Sequence, residues 1–385
     1  MRILHICFAS FYIDNYGYQE NILPKMHKLQ GHEVAILAST ETFIGNSTLG
    51  YVDPSSYVTE YGVPITRIPY TSILPHAIAK KLRKYKGVKK TLYSFKPDVL
   101  FIHGGQFVSM MEIVSYVKKH PHVKVYIDNH ADYINSGTNW VSMKILHGII
   151  YKWTMQLVEP YTQKFYGVLP IRVEFLKDVY GTPTDKTELL VLGIDDSNID
   201  FANKHNIRND IRQSLNISDD DFVIITGGKI DRKKNIHLLM HAVSEIVIKN
   251  IKLITFGTPN EEMKQEFEKL SSSDSIINLG WITPEQANNY FFAADIACFP
   301  GTHSVLWEQA VGLGLPAIFK RWEGINHIDL DGNCIILDDV SVDKIKKSIL
   351  DVYNNKGLFV SMQESAKEGI KIFSYYDIAK RAIDG

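Results

Sequence analysis

Residues 291–320, FFAADIACFPGTHSVLWEQAVGLGLPAIFK, have the pattern of a buried strand, a polar turn and a helix. A short apolar run at 296–299 ends at Pro300, and helix formers follow over 306–313 before a glycine and a proline. A helix that begins just beyond the carboxyl end of a strand offers free N–H groups and the positive end of its dipole to an anion. The stretch therefore predicts an α/β fold with a ligand site at this edge of a sheet.

Glu308 lies in the first turn of that predicted helix. A carboxylate would repel a phosphate that touched it, but it is well suited to accept hydrogen bonds from sugar hydroxyls. An anion site beside a hydroxyl acceptor indicates a site for a nucleotide sugar. The alternative is an ordinary first-turn glutamate that the helix dipole favours.

Strand-like apolar runs alternate with amphipathic helical patterns along nearly the whole chain, which predicts parallel sheets with helices on both faces. We expect two sets of about six strands. The first set is 2–8, 33–38, 99–103, 123–127, 167–170 and 189–192. The second set is 222–226, 252–256, 276–279, 296–299, 316–319 and 334–337. The predicted helices include 19–30, 110–119, 236–249 and 284–293.

The stretch 193–218 is polar, rich in Asn and Asp, and poor in strand signals, so we predict a linker there. The expected organisation is one Rossmann-like domain over 1–195, a second over 196–372, and a C-terminal helix over 373–385 that packs back on the first. Ligands of doubly wound sheets bind beyond the carboxyl ends of the strands. We therefore expect two doubly wound domains facing across a cleft.

Composition excludes several classes of protein. The 42 basic and 43 acidic residues nearly cancel, which argues against a nucleic-acid binder. The cysteines Cys7, Cys298 and Cys334 cannot all pair, and no Cys/His spacing resembles a zinc site. The N-terminus has the pattern of a strand rather than a signal peptide, and no apolar run approaches the roughly 18 residues of a spanning helix. We expect a cytoplasmic protein.

A second candidate anion site lies in 221–243, DFVIITGGKIDRKKNIHLLMHAV. A predicted strand runs into two glycines, Lys229 follows them, and Lys234 comes five residues later, just before a helix. Two lysines beside a glycine turn and a helix start suit a diphosphate. The alternative is a solvated lysine cluster, since Arg232 and Lys233 are basic too.

Histidines occur at two predicted strand ends. His130 follows the strand 123–127, at the carboxyl edge where ligands gather, so a role beside a bound sugar is plausible on position alone. His103, at the end of 99–103, is a weaker candidate of the same kind, and His5 is expected to be a core histidine. A lone histidine is more often structural than functional.

Two further loops contain candidate ligand-binding residues. Gly17 precedes the helix 19–30, where a glycine permits close approach of the backbone to a ligand. Ile282 follows the strand 276–279 in a turn whose N–H and C=O groups can read the edge of a nucleobase. Trp281 beside it is expected to be a packed aromatic side chain.

Residues 77–90 are locally very basic, with Ile78, Leu82 and Tyr85 at helical spacing. A basic amphipathic helix in a chain of neutral overall charge predicts contact with anionic lipid. The alternative is a solvated helix face.

Together these segments resemble the retaining GT-B glycosyltransferases of the large group 1 family (family 4), over nearly the whole chain and most strongly over 221–332. GGKIDRKKNIHLLMHA is similar to the family's G-R-L-x-x-x-K-G segment, which implies that Lys229 and Lys234 hold the donor diphosphate. WEQAVGLGLPAI is similar to E-A-M-A-C-G-L-P-V-I, which puts Glu308 where the family binds the donor ribose. His130 falls where the family has a histidine near the reacting sugar.

The chain departs from the family pattern in one place. The family usually carries two glutamates with seven residues between them, and the first position falls on Pro300 here. His303 or Ser304 is expected to take over part of the missing carboxylate's work, next to Val305 at the helix start. Lysine at 229 in place of arginine keeps the charge but loses a bidentate fork.

The resemblance implies an enzyme that moves a sugar from a nucleotide diphosphate, expected to be a UDP-sugar, to a hydroxyl of a saccharide or lipid-linked saccharide. Retention of configuration, no metal or other cofactor, no nucleic-acid partner and a role in bacterial surface polysaccharide synthesis are implied as well. Domain 1–195 would face the acceptor and 196–372 the donor, and the basic segment 77–90 would place the protein at the inner face of the plasma membrane.

The resemblance also assigns residues. The implied catalytic residues are His130, Lys229 and Lys234. The implied donor-binding residues are Gly17, Lys229, Lys234, Ile282, His303, Ser304, Val305 and Glu308. Two alternatives stay open: a non-catalytic subunit that binds a nucleotide sugar, motivated by the missing glutamate, and another enzyme on the same fold, such as an epimerase or phosphorylase.

Overall fold

The computed structural model describes residues 1–44, 48–134, 136 and 139–384. The chain divides into two units. The first comprises Met1–Val191 together with the chain from Ile378 onward, and the second comprises Leu192–Asp377.

Ten strands occur among the described residues of the first unit, and eight of them form one sheet. They are β1 (Arg2–Cys7), β2 (Glu33–Ser39), β3 (Glu41–Ile44), β4 (Thr48–Tyr51), β5 (Ser55–Val58), β6 (Pro64–Ile68), β7 (Val99–His103), β8 (Lys124–Asn129), β9 (Thr162–Gly167) and β10 (Thr187–Leu189). The sheet order is β10-β9-β8-β7-β1-β2-β6-β5, and β3 pairs with β4 as a separate hairpin. Neighbouring strands of the sheet are parallel except β5 and β6.

The helices of the first unit connect these strands. They are α1 (Gln19–Leu29), α2 (His76–Leu82), α3 (Val88–Phe95), α4 (Met110–Val117), a π-helix over Val141–Tyr151 that continues into α5 (Lys152–Val158), and α6 (Pro170–Phe175), which continues into a second π-helix over Leu176–Tyr180. Strands β1, β7 and β8 are almost completely buried, as expected of central strands covered on both faces.

Six parallel strands form the sheet of the second unit, in the order β13-β12-β11-β14-β15-β16. They are β11 (Phe222–Gly227), β12 (Ile251–Phe256), β13 (Ile276–Asn278), β14 (Ile296–Phe299), β15 (Ala317–Lys320) and β16 (Cys334–Leu337). The helices are α7 (Lys204–Ser214), α8 (Ile236–Ser244), α9 (Lys264–Leu270), α10 (Pro284–Ala293), α11 (Leu306–Gly312), α12 (Val342–Asn354), α13 (Lys356–Ile372) and α14 (Tyr375–Asp384), whose last residues belong to the first unit. Each of these six strands was predicted to within one residue, and the doubly wound α/β architecture of both units is confirmed.

Three predictions in the first unit are wrong. The predicted strand 189–192 overlaps β10 only at Leu189. The predicted strand 167–170 is the end of β9 followed by the start of α6, because Pro170 is favoured in the first turn of a helix and cannot donate to a central strand. The predicted helix over 77–90 is broken: α2 ends at Leu82, Arg83 has a left-handed backbone with φ of 48°, and Tyr85 bridges to Tyr70 before α3 begins.

The predicted linker 193–218 contains helix α7. The sequence of α7 is polar and therefore resembles a linker, but one of its polar side chains, an arginine, is buried against the unit. Arg212, only 2% exposed, donates from its guanidinium to the carbonyl oxygens of Ala293 and Asp221 and to the carboxylate of Asp295. A buried polar side chain therefore anchors α7 to the unit, a role that an apolar residue such as leucine has in a conventional amphipathic helix.

No helix in the described parts of the chain has the length and apolar character needed to cross a membrane.

The buried Arg212 network generates a test of stability. Replacing Arg212 by Met should lower the free energy of unfolding by about 3 kcal/mol, because the Asp295 carboxylate and several carbonyl oxygens lose a buried donor. Arg232→Met is the matched control, since the Arg232 side chain is 52% exposed and forms surface ion pairs with Glu262 and Glu266. The control should change the free energy by less than about 1 kcal/mol. Urea unfolding measures both, and equal midpoints for the two variants would contradict the assignment.

Candidate functional site

The loop after β11 is shaped by its own polar residues. Gly228 has φ of 99°, a backbone conformation that favours glycine. The side chain of Asp231 accepts hydrogen bonds from the backbone N–H groups of Lys233 and Lys234, which closes a short 3-10 turn. Asn235 then takes a left-handed conformation, and α8 begins at the next residue. The basic run thus forms a capped turn at the carboxyl end of a central strand.

The loop after β14 is hydrogen-bonded to that turn. The backbone N–H of Thr302 donates to the carbonyl oxygen of Lys233 over 2.9 Å. The side-chain amide of Asn235 donates to the carbonyl oxygen of Pro300 over 2.9 Å. Strands β11 and β14 are neighbours in the sheet, so their two loops meet at one edge.

Lys234 forms the centre of this contact. Its Nζ donates to the carbonyl oxygens of Thr302 and His303, both over 2.8 Å. A Cβ added to Gly301 would lie 2.3 Å from the backbone of Lys234, so only glycine allows the two loops to approach so closely. Burial lowers the pKa of Lys234. Because an ammonium has three donors, these two bonds leave one N–H of Lys234 for a ligand.

Lys229 is held quite differently. Its side chain is 73% exposed, and its ion-pair contact is with Asp231, whose Oδ2 lies 3.6 Å from its Nζ. A long, solvated side chain of this kind can reorient toward an anion that arrives at the loop, whereas Lys234 is already fixed.

Glu308 is completely buried in the first turn of α11. Its Oε1 accepts hydrogen bonds from Nε2 of His303 over 2.8 Å and from Nε2 of His327 over 2.9 Å. Burial alone would raise the pKa of Glu308, but the two histidines outweigh it and lower that pKa to about 2. Among the described residues no group donates to Oε2, so this oxygen keeps its capacity to accept from a hydroxyl.

Sequence reasoning missed His327, whose side chain is only 3% exposed. It lies 19 residues after Glu308, in the loop that follows β15, and no local pattern marks it. His303 was expected to contact the donor sugar, and in the structure its Nε2 is engaged with Glu308.

The remaining predicted donor residues occupy separate positions. The carbonyl oxygen of Ser304 accepts from the backbone N–H of Trp307, and Val305 is 50% exposed at the start of α11. Ile282 is half-buried in the loop between β13 and α10. Gly17 lies in the first unit, is exposed, and has nothing within 4 Å of the position of an added Cβ, so packing does not require a glycine there.

His130, at the end of β8 in the first unit, lies between two carboxylates. Its Nε2 is 3.5 Å from Oδ1 of Asp128 and 3.6 Å from Oε1 of Glu20. Burial lowers the pKa of His130, but the two negative charges outweigh that effect and raise it above the ordinary value. The surrounding cavity has a volume of about 300 Å³, and its polar lining includes Ser10, Arg83, Gln106 and Tyr151.

One group in the described chain has the composition of a metal site. Glu20, His103 and His130 each place a ligand-type atom within 4.8 Å of the others. Both ring nitrogens of His103 are already hydrogen-bonded, to His5 and to Asp128, so we assign no metal to this group.

The structure thus brings Lys234, His303 and Glu308 together in the second unit, with Lys229 on the adjoining turn. Ile282 lies on another loop of that unit, while His130 and Gly17 belong to the first unit.

Comparison with known proteins identifies the kind of enzyme. Residues 207–369 match the family model of glycosyl transferases group 1. An uncharacterised glycosyltransferase of Methanocaldococcus jannaschii is 22% identical over 375 residues, which are 92% of this chain and 89% of that protein. A lipopolysaccharide 1,2-N-acetylglucosaminetransferase of Salmonella typhimurium is 29% identical over 144 residues, 34% of this chain. The match spans only 38% of the length of the Salmonella protein.

The fold has solved counterparts. An Anabaena protein crystallised in complex with UDP-glucose superposes with a TM-score of 0.65 at 12% identity, over 99% of this chain and 98% of the other. This superposition confirms the predicted fold. The family match and the named relatives confirm the predicted resemblance to glycosyltransferases and the prediction that the chain is an enzyme of that class.

The different settings of the two lysines generate a test. Replacing Lys234 by Met should lower the free energy of unfolding by about 2 kcal/mol, because two carbonyl oxygens lose charge-assisted hydrogen bonds. Lys229→Met should change it by less than about 0.5 kcal/mol, since that side chain is largely solvated. Urea unfolding of the two variants compares them directly, and a Lys229 variant as destabilised as the Lys234 variant would refute the distinction.

Proposed function

We propose that this chain, a glycosyltransferase whose residues 207–369 belong to group 1, transfers a sugar from a nucleotide diphosphate to a hydroxyl of a saccharide or lipid-linked saccharide. The observation that carries the proposal is the joined pair of loops in the second unit. They combine a fixed ammonium, Lys234, a mobile ammonium, Lys229, and a buried carboxylate, Glu308, with one oxygen still able to accept.

The physical problem of the reaction is the leaving group. As the bond between the sugar and the diphosphate breaks, negative charge develops on the diphosphate oxygens. The remaining N–H of Lys234 and the solvated ammonium of Lys229 stabilise that charge. Removal of one such donor typically costs about 3–4 kcal/mol in the transition state. Two ammonium groups also supply the positive charge for which other enzymes use a metal ion, which supports a reaction without a metal.

Glu308 fits the hydroxyl-binding part of the site. Both hydrogen bonds that hold it go to Oε1, and its low pKa keeps it ionised at neutral pH. Oε2 can therefore accept from a ribose hydroxyl of the nucleotide. The Anabaena protein of the same fold was solved with UDP-glucose, which supports a UDP-sugar as the donor.

The cavity beside His130 is our proposed acceptor site. Its polar groups suit a saccharide hydroxyl, and Arg83, whose guanidinium donates to the carbonyl oxygen of Gln106, adds a positive charge that suits an anionic acceptor. The neighbouring carboxylates favour a protonated His130, which can donate to a sugar oxygen. The Salmonella relative acts in lipopolysaccharide synthesis by its name, which supports a lipid-linked saccharide and a role in bacterial surface polysaccharide.

Retention of configuration is the stereochemical outcome we propose. Two carboxylates lie at these loops, and neither is well placed to act as a nucleophile. Glu308 is buried and bound by two histidines, and Asp231 accepts from the backbone N–H groups of its own turn. A front-face substitution, in which the acceptor enters on the side that the diphosphate leaves, needs no such nucleophile.

We propose a peripheral membrane contact on the first unit. Lys80 and Lys84 of the basic segment pair with Glu41 and Glu112, which leaves the exposed lysines 81, 86, 89 and 90 for lipid headgroups.

A neighbouring helical surface extends that contact. Ile145, Ile149 and Trp153 follow one another at intervals of four residues and are 39%, 63% and 45% exposed. Residues 133–158 contain no Asp or Glu. The buried side of the same helix contacts the basic segment, since the hydroxyl of Tyr151 donates to the carbonyl oxygen of Lys81 over 2.6 Å. Apolar and basic side chains side by side are typical of helices that lie in a membrane surface.

Nucleotide binding tests the donor site. Titration calorimetry with UDP, GDP and ADP should show binding of UDP, and Glu308→Gln should weaken it about tenfold or more because a charge-assisted hydrogen bond is lost. Glu285→Gln, an exposed change on α10, is the matched control and should leave affinity unchanged. Equal affinities in both variants would refute the role of Glu308.

Product analysis separates the alternatives. A UDP-sugar incubated with a panel of lipid-linked acceptors should give a glycosylated acceptor and UDP. Nucleotide binding without turnover across the panel would favour the non-catalytic subunit, and a UDP-sugar changed at one carbon would favour an epimerase.

Vesicle binding tests the membrane surface. The wild-type chain should sediment with vesicles that contain phosphatidylglycerol and not with vesicles of phosphatidylcholine alone. Changing Ile145, Ile149 and Trp153 to Ser should reduce that binding at least about tenfold, because roughly 2 kcal/mol or more of apolar burial is lost. Val247→Ser, at a 93% exposed position of the second unit, is the control. If vesicle binding persists after the triple change and after charge reversal of the four lysines, these residues do not form a membrane-binding surface.

A further inference from the structure

A continuous line of hydrogen bonds runs through the core of the first unit. Nε2 of His27 lies 2.8 Å from the backbone carbonyl oxygen of Ala379 in α14. Nδ1 of His27 lies 2.9 Å from Nε2 of His5, and Nδ1 of His5 lies 3.0 Å from Nε2 of His103. Nδ1 of His103 lies 2.7 Å from Oδ2 of Asp128. The four side chains are 0% exposed, so water does not supply or remove hydrogens along the line.

The hydrogens of this line can be counted. It contains four hydrogen bonds, and each needs one hydrogen. Its two ends, a carbonyl oxygen and a carboxylate, are acceptors. Three neutral imidazoles carry only three ring hydrogens, so one bond would lack a donor, and a buried bond without its hydrogen would place two lone pairs against each other.

We propose that this line, His27–His5–His103–Asp128, permanently holds one excess proton, and that it positions His130 at the acceptor cavity. The count is the same whether that proton resides on Nδ1 of His103 or on Oδ2 of Asp128. In both arrangements every bond has one donor and one acceptor.

The surroundings assign the proton to His103. Burial, together with the charges of His27 and His103, lowers the pKa of His5, and burial lowers the pKa of His27 to about 3, so both stay neutral. Burial raises the pKa of Asp128, but the contacts with His103 and His130 outweigh it and hold that pKa well below its ordinary value, so Asp128 stays ionised and the hydrogen of this bond lies on His103. The carbonyl of Ala379 requires a hydrogen on Nε2 of His27, and this fixes the same Nε2–H tautomer in His5. The flanking titratable groups are His32 beside His27, and Glu20 and His130 beyond Asp128.

The line acts on His130 through Asp128. The imidazolium of His103 holds Oδ2, while Oδ1 accepts from the backbone N–H of Gly104 over 3.0 Å and lies 3.5 Å from Nε2 of His130. Because His103 largely neutralises Asp128, His130 experiences less negative charge than two free carboxylates would impose. His5, His27 and His103 are thus positioning residues, and they connect the docking of α14 to His130. This consequence rests on the proposed function of the cavity.

Nitrogen NMR of the full chain labelled with ¹⁵N-histidine tests the proton count. Within the line we expect His5 and His27 in the neutral Nε2–H form and one imidazolium, His103, that persists to pH 9, where exposed histidines are neutral. A His103→Gln variant assigns the imidazolium signal, and His205→Gln, at an exposed position, should leave it in place. Three neutral imidazoles at pH 9, with no proton on Asp128, would overturn the proposal.

Two further variants make the test sharper. In Asp128→Asn the side-chain amide donates to Nδ1 of His103, so three neutral imidazoles suffice and the imidazolium signal should disappear. His5→Phe should release the excess proton and raise the pKa of His130 by roughly one unit, because the Asp128 charge is no longer neutralised. An imidazolium that survives in Asp128→Asn would overturn the count, and an unchanged pKa of His130 in His5→Phe would overturn the positioning role. These readouts need no sugar transfer, so an inactive protein that retains the imidazolium refutes only the proposed function.

Discussion

The hydrogen bonds that tie the loop after β14 to the turn after β11 determine the geometry of the proposed donor site. Parallel neighbouring strands bring two loops to one edge of a sheet, but they do not bring the loops into contact. Here the ammonium of Lys234 does so by donating to two carbonyl oxygens, and Gly301 leaves the space for it. The position of His303 follows from that contact, and the position of the Glu308 carboxylate is fixed in turn by His303.

Each unit contains a buried carboxylate that is stabilised by histidine side chains. A buried carboxylate is stable only if donors replace the water it has lost. Glu308 receives two imidazole donors on one oxygen, and Asp128 receives His103 on one oxygen and faces His130 with the other. The second oxygen of Glu308 has no donor among the described residues, whereas Oδ1 of Asp128 also accepts from the backbone N–H of Gly104. In both units the donors keep a buried carboxylate ionised inside a folded domain.

Some of this could be predicted from sequence because the signal is local. The strands of the second unit are short apolar runs, the four central ones are almost completely buried, and the ends of all six were predicted to within a residue. The same local order placed Lys229 and Lys234 in the loop between a strand and a helix, and Glu308 in the first turn of the helix that follows another strand. The wrong predictions come from side chains that pack in ways their type does not indicate: Arg212 is buried in a segment that resembles a linker, and Arg83 interrupts a basic helical pattern with a left-handed residue.

Partners far apart in sequence could not be predicted. His327 is 19 residues from Glu308, His103 is 98 residues from His5, and Ala379 is 352 residues from His27. Each histidine taken alone resembles an ordinary core residue, and His5 was expected to be one. Only the fold shows that these residues meet and that their hydrogens must be counted together.

The departure at Pro300 has a structural role of its own. Where related enzymes carry a glutamate, this chain presents a carbonyl oxygen that accepts from Asn235, so the position anchors the loop instead of offering a carboxylate. The neighbouring carbonyl oxygens of Thr302 and His303 are likewise taken by Lys234. In this loop, backbone carbonyl oxygens bound by Lys234 and Asn235 therefore occupy the place where the family pattern has a carboxylate side chain. Under the proposed function, recognition of the donor sugar then comes from groups this loop leaves unengaged. Between Pro300 and α11 the polar side-chain groups are the hydroxyls of Thr302 and Ser304 and the ring Nδ1 of His303.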